Sequence, residues 1–412
     1  MHIVKEKIVM LGVAVPEDVM DKLIEVDHNP QIQTHKLSWA IIRGMECNGE
    51  IIDIISTIAV SDYPSANLIC SGYRKWDRKN GSDNWLVPFI NILGLKQLTR
   101  FISGFSFLLW WSIKNFGKKR HVLIYGLISS HLYAVRCIKL LFRTKATIII
   151  TDLPGLAVAS DPWWKRILRP LDSSLVHSAT QYADGVIVLT RQISEDFVPK
   201  VPAMVMEGIL SVESEEMAKN IRTKLNDTSK DFIILYAGAL GKNYGIPLLL
   251  DAFVMLVGED YRLCFFGRGD MVDDIRCRVK TDSRISLSED FISAEDLFIK
   301  CQQSTVLINP RPTNEIFTRY SFPSKIIEYM AVGRPVVTTQ LLSIPSDYHP
   351  YLIWLDQETP EALAALFENL RNGSDEQLCE IGEKSRDFVI REKNYRYQGK
   401  RIVDFIKQIS SM

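Results

Sequence analysis

The stretch SFPSKIIEYMAVGRPVV, Ser321 to Val337, is written as a loop, a helix and the start of a strand in succession. Ser321 stands where an N-cap belongs, and Pro323 suits a first helical turn that has no use for its missing N–H. Gly333 and Pro335 stop the helix ahead of the run Val336-Val337-Thr338-Thr339. The amino end of such a helix offers unpaired N–H groups and the positive end of the helix dipole, so a diphosphate placed there gains charge-assisted hydrogen bonds. Ser324 and Lys325 lie at that end, Lys325 adding a cation. Glu328 follows one turn later on the same face, where a carboxylate can accept hydrogen bonds from both hydroxyls of a ribose. Lys325 and Glu328 are equally well spaced for an ordinary surface ion pair worth a few tenths of a kcal/mol, and the residues alone leave both readings open.

Outward from this stretch, short apolar runs alternate with longer amphipathic segments. Strands are predicted over Lys7–Val13, Glu50–Ser56, His121–Tyr125, Thr147–Thr151 and Gly185–Leu189. A second series covers Ile233–Tyr236, Arg262–Phe266, Arg284–Leu287, Thr305–Ile308 and Val336–Thr339. Such alternation predicts an α/β protein with parallel sheets covered by helices on both faces. At 412 residues the chain exceeds what one core usually supports, and 47% hydrophobic content is ample for two. The polar stretch Val212–Lys230 reads as a helix plus a loop, and the boundary between domains is expected near residues 200 to 212.

Equal numbers of basic and acidic residues, 49 each, argue against a dedicated nucleic-acid binder. The seven cysteines show no zinc spacing, and their odd number leaves no complete disulfide scheme, which fits a reducing cytoplasm. The N-terminal MHIVKEKIVMLGVAV reads as a buried strand with no signal-peptide cleavage pattern. The most apolar stretch, Phe101–Ile113, is too short to span a membrane. Leu98, Phe101, Ile102, Phe105, Leu108, Leu109, Ile113 and Phe116 recur at helical spacing and are expected to face the core. Phe107, Trp110 and Trp111 fall off that stripe and basic residues follow at Lys114, Lys118, Lys119 and Arg120. The helix is therefore either buried on both sides or rests on an anionic membrane surface. Trp163, Trp164, Lys165, Arg166 and Arg169 repeat the aromatic-plus-basic theme.

Two glycine turns close strands of the second series. Gly238-Ala239-Leu240-Gly241-Lys242 lets backbone amides approach a diphosphate, and Gly267-Arg268-Gly269 does the same beside it, with Arg268 either near phosphate or simply solvated. Ligands bind at such turns in parallel sheets, which makes a Rossmann dehydrogenase a rival. The first strand–helix junction, LGVAVPEDVMDKL, however, carries no Gly-x-Gly-x-x-Gly.

The Ser321–Val337 stretch, together with LYAGALGKNYGIPLLLDAF (Leu235–Phe253), resembles the C-terminal domain of the family-4 retaining glycosyltransferases of GT-B fold, in the Phe-Pro-Ser-Lys-x-x-Glu variant of their donor motif. The resemblance runs from roughly residue 185 to 410 and is general in layout before that. It implies two Rossmann-like domains facing across a cleft: residues 1–205 on the acceptor side, 206–397 binding the sugar nucleotide, and a helix over 398–412 crossing back to the first domain. It also implies sugar transfer with retention from a nucleoside-diphosphate sugar to a saccharide acceptor, without a cofactor or metal. No catalytic nucleophile is expected where an oxocarbenium-like state is stabilised by the leaving diphosphate.

Residue by residue, Gly238, Lys242, Arg268, Arg311, Ser324, Lys325 and Glu328 become donor-binding candidates. The family's arginine and lysine of the first loop are replaced here by Ala239 and Tyr244, which passes the cationic role to Lys242. The first glutamate of its pair is replaced by Tyr320, so either Glu315, with Arg311, faces the transferred sugar from its loop, or the sugar is handled differently. His131 matches a histidine that reaches the donor from the first domain, or else caps a helix or fills the core. Asp152 either positions an acceptor hydroxyl or caps a turn. Family habit and the aromatic-basic patches point to a lipid-linked acceptor in cell-surface polysaccharide synthesis, at the inner face of the membrane. A glycosyltransferase-like partner subunit without activity and a sugar-nucleotide epimerase are the alternatives. Residues 287–291 are expected near the base, whose identity the sequence does not fix.

Overall fold

The computed structural model describes residues 6–28, 30–153, 163–220, 231–290 and 292–412, without the side chains of 163–169 and 171. The aromatic-basic cluster Trp163–Arg169 and Phe291 therefore fall outside the described side chains, as do residues 221–230 of the polar stretch, whose helix covers Val212–Asn220. The chain divides into two compact units, one of Met1–Ile209 with Tyr395–Met412 and one of Leu210–Asn394.

The first unit carries β1 (Lys7–Gly12), β2 (Ile52–Ser56), β3 (Cys70–Ser71), β4 (Arg74–Asp77), β5 (Asp83–Leu86), β6 (Phe89–Ile90), β7 (Arg120–Tyr125), β8 (Lys145–Ile150), β9 (Gly185–Val188) and β10 (Ala203–Val205). Eight of them form one sheet in the order β10-β9-β8-β7-β1-β2-β5-β4, parallel except where β4 pairs antiparallel with β5. The central strands β2 and β7 are buried at every position, as a parallel sheet covered on both faces requires. Strands β3 and β6 make a separate antiparallel pair.

The second unit carries β11 (Phe232–Ala237), β12 (Tyr261–Phe266), β13 (Ile285–Ser288), β14 (Val306–Asn309), β15 (Val336–Thr339) and β16 (Ile353–Leu355). They form an all-parallel sheet in the order β13-β12-β11-β14-β15-β16. The winding reverses between β11 and β14, which opens a crevice beyond their carboxyl ends, the place where ligands bind in such sheets.

The helix Leu95–Lys114 departs from expectation at half of its apolar stripe, although Leu108 of that stripe is fully buried. Leu98, Ile102, Ile113 and Phe116 are 54%, 52%, 58% and 77% exposed, while Lys96, Arg100, Gly104, Leu108, Trp111 and Ser112 are buried. The inward face is polar because it serves the backbone of the neighbouring loops. Lys96 Nζ donates to the Val60 carbonyl and to Asp62, and Arg100 donates to the Ile58 carbonyl while stacking on Phe89. Trp111 Nε1 donates to Asp53 at 2.8 Å. Periodicity locates an apolar stripe, but it does not say which side of the helix the protein lies on.

Within the first unit the final helix, Tyr395–Ser411, crosses the helix Ile32–Cys47 backbone to backbone. A Cβ at Gly44 would lie 2.2 Å from the Tyr395 carbonyl oxygen, and one at Gly399 would lie 2.1 Å from the Gly44 carbonyl carbon. Neither neighbour is a flexible side chain, so the helices must move apart to admit even a methyl group. Gly44→Ala is expected to lower the stability of the first unit by about 1–3 kcal/mol, read as a fall in its thermal midpoint; an unchanged midpoint would contradict this crossing.

Candidate functional site

The site is built on loops that leave the carboxyl edge of the second sheet. After β11 the chain runs through Gly238 and Leu240, whose amides donate to the Phe266 and Arg268 carbonyls at 2.9 and 2.8 Å. Gly267 makes this approach possible: its φ is +146°, and a Cβ there would fall 1.9 Å from the Gly238 carbonyl oxygen. The two glycine turns are thus zipped together, and above them lies a cavity of about 430 Å³ bounded by Gly238, Phe266, Gly267, Arg268, Asp290 and Lys325.

The helix that brings Lys325 to this cavity spans Lys325–Val332 and ends at Gly333, whose φ of +81° and amide bond to the Met330 carbonyl complete a left-handed cap. It does not begin at Ser321. Phe322 is buried against Tyr348, with ring centroids 5.5 Å apart, and the proline that follows holds it extended, so Ser324 takes the N-cap position without a side-chain capping bond. The amides of Ile326 and Ile327 turn back onto the Pro323 and Ser324 carbonyls at 2.9 and 3.2 Å, and the open end of the helix is Ser324–Lys325. Tyr329, absent from the sequence reading, fixes this end to the sheet. Its buried hydroxyl receives the Ala237 amide at 2.7 Å and donates to the Ala237 carbonyl at 2.9 Å, one residue before Gly238.

Lys325 Nζ and Glu328 form a half-buried ion pair at 2.7 Å. A pair of this exposure contributes about 1 kcal/mol at most; Lys325 borders the cavity and Glu328 does not. Arg268 borders the cavity with Nε donating to the Glu289 carbonyl at 3.0 Å. Lys242 does not border it. Its side chain is exposed and its amide donates to Asp270 at 3.1 Å, which turns the short helix Lys242–Tyr244 outward. Glu315 starts the short helix Ile316–Tyr320, where its carbonyl takes hydrogen bonds from Thr318. Arg311 lies half-buried over the Tyr244 ring, 5.0 Å from its centroid.

In the first unit Asp152 is exposed just past β8, at the last residues described before position 154. His131 has no exposed area. Among the described residues it lies in the core beside Gly104, with Nε2 3.2 Å from Thr57 Oγ1 and Nδ1 buried without a hydrogen-bond partner. Desolvation pushes its pKa down to about 3, and that of buried His121 on β7 to about 4, so both are held neutral. An unfolded chain protonates these rings through their ordinary value near 6.5, whereas the fold does not. Stability of the first unit is therefore full above about pH 7 and falls as the pH drops toward 4, by up to about 1.4 kcal/mol per pH unit for each ring. Thermal midpoints recorded from pH 7 to 5 should decline, less steeply in His131→Gln; a flat profile would contradict neutral burial.

Residues 231–372, which include both glycine turns and the Lys325 helix, match the family described as Glycosyl transferases group 1. No curated protein matches the chain. Among solved structures, sucrose-phosphate synthase from Thermosynechococcus elongatus superposes with a TM-score of 0.65 at 13% identity, covering 98% of this chain and 99% of that one. Anabaena HepE in complex with UDP gives 0.62 at 12%, covering 98% and 100%, and the lipopolysaccharide outer core galactosyltransferase WaaB gives 0.61 at 15%, covering 97% and 99%. These likenesses show the fold: α/β, with two Rossmann-like units of the GT-B kind.

Proposed function

We propose that this protein transfers a sugar, with retention, from a nucleoside-diphosphate sugar to a saccharide acceptor. The observation that carries the reading is the cavity at the carboxyl edge of the second sheet, bordered by two zipped glycine turns and by Lys325 at an open helix end. The diphosphate sits against that end with Lys325 as its cation. Glu328 turns from Lys325 to the ribose hydroxyls, and the leaving group is stabilised by protein charge without a metal. The group 1 match over 231–372 and the fold shared with structures solved with UDP support the same reading. The first unit takes the acceptor.

A thermal-shift panel of uridine, guanosine and adenosine diphosphate sugars tests it on the full chain. One nucleotide at about 100 times its dissociation constant should stabilise the second unit by roughly 2.7 kcal/mol. Glu328→Ala should weaken that nucleotide about 10- to 100-fold through loss of charge-assisted hydrogen bonds. Folded protein that responds to none of the three would remove the reading and favour a partner subunit without activity.

The acceptor we propose is lipid-linked, used in cell-surface polysaccharide synthesis at the cytoplasmic face of a membrane. Among the described residues no helix is long and apolar enough to cross a membrane. The support is the outward stripe on Leu95–Lys114, joined by exposed Leu140 and Leu141 and by exposed Lys118, Lys119 and Arg143. Arg120 lies near both Phe116 and Phe142, 5.9 and 5.2 Å from their ring centroids, which brings these two groups together. Apolar side chains flanked by cations suit an anionic bilayer. Flotation with vesicles containing phosphatidylglycerol should carry the wild-type chain, and Ile102→Glu with Phe116→Glu should leave it behind; equal flotation of both would end the membrane assignment.

A further inference from the structure

Among the described residues, Arg311 of the second unit is a cation without a counter-ion. Arg311 follows β14 at the point where the sheet reverses its winding, and its carbonyl is fixed by a hydrogen bond from Thr339. Its guanidinium lies over the Tyr244 ring, and Phe317 packs edge-on against that ring with centroids 5.6 Å apart. Nη1 is buried with no hydrogen-bond partner, and Arg311 has no ion pair among the described residues. The groups that act on its charge through space are Tyr244, Tyr236 and Tyr329, with no carboxylate among them. Burial holds its pKa below the usual arginine range, yet a guanidinium starts so high that it stays charged at neutral pH.

Stacking on one ring returns less than it costs to remove a guanidinium from water without a hydrogen-bonded partner. A fold that keeps such a group at a switch point, where ligands bind, keeps it for an anion. The loop 238–245 ties this position to the donor cavity, supplying Gly238 to the cavity and Tyr244 to Arg311. Arg311, Tyr244 and Lys242 do not border the cavity itself, so the loop is what joins the Arg311 position to it.

We propose that Arg311 and Tyr244 form an anion subsite of the donor site, which takes an anionic oxygen group of the donor, either the distal phosphate of its diphosphate or a carboxylate on its sugar. The subsite rests on the donor reading above for the identity of its ligand, and on its own geometry for its charge. The anion accepts hydrogen bonds from the guanidinium, and the Tyr244 ring holds that guanidinium in place when the anion is absent.

The test uses the full chain, with Arg311→Gln, Arg311→Lys and Lys242→Ala. Inorganic pyrophosphate, which needs no base recognition, should raise the melting temperature of wild type and of Lys242→Ala, and should fail to raise that of Arg311→Gln where the subsite takes phosphate. Nucleoside monophosphate should bind wild type and Arg311→Gln within about 3-fold. A loss of about 10-fold or more for the nucleoside diphosphate in Arg311→Gln, partly restored in Arg311→Lys, assigns the subsite to phosphate. An equal diphosphate affinity with a comparable loss for a hexuronate donor, and none for its neutral hexose counterpart, assigns it to the carboxylate. Because a half-buried guanidinium whose Nη1 has no hydrogen-bond partner is no asset to the empty protein, Arg311→Gln should melt within about 2 °C of wild type or above it. A fall beyond about 5 °C, of the size a lost structural brace produces, would make Arg311 structural and overturn the proposal. Equal affinity of wild type and Arg311→Gln for every probe would also overturn it. If Glu328→Ala still abolished nucleotide binding in that case, the donor reading would stand without this subsite.

Discussion

One phenol decides where the open end of the Lys325 helix lies against the sheet of the second unit. Tyr329 uses its buried hydroxyl twice on Ala237, accepting from the amide and donating to the carbonyl, at the last residue of β11 before the glycine turn. The cavity needs a helix end and a strand end in fixed register, and these belong to segments about ninety residues apart in the chain. Each of the two bonds contributes on the order of 1 kcal/mol, and their loss would leave a buried amide and carbonyl unpaired, which costs more. The same contact sets the spacing between Gly238 and Lys325, the two sides across which a diphosphate is proposed to lie.

Much of the fold was legible because the strands of a covered parallel sheet are continuous apolar runs. All ten strands expected from the sequence are present, each end within two residues of its predicted place. Strands β4 and β5 were not expected, since RKWD and DNWL form a polar hairpin edge whose pattern resembles a loop. The two-residue strands β3 and β6 are too short to carry a period at all. The helix Leu95–Lys114 was found, but Leu98, Ile102, Ile113 and Phe116 of its expected core stripe face outward while Leu108 is buried. Its burial is decided by loop carbonyls that Lys96 and Arg100 satisfy, and no periodicity reports the backbone needs of a distant loop.

At the candidate site, sequence located the glycine turns and the Lys325 helix, because glycine, proline and helix stops are local signals. It placed the helix start three residues early, at Ser321 in place of Ser324, where a buried Phe322 and the proline after it outweigh a serine's capping preference. Tyr329 was invisible as anything but another residue of the helix, and the stacking of Arg311 on Tyr244 joins two loops that only the folded sheet brings together. His131 shows the opposite case. Its position after a strand suggested a ligand, while its complete burial beside Gly104 gives it a structural role in the first unit.

The most direct test of the central claim is a crystal structure of the full chain grown with the nucleoside diphosphate that stabilises it most. The account requires the phosphates against the Ser324 and Lys325 amides, with Glu328 on the ribose and the turn at Gly238 beside them. A nucleotide bound anywhere away from the Lys325 helix, with the Lys325–Glu328 pair intact, would contradict it.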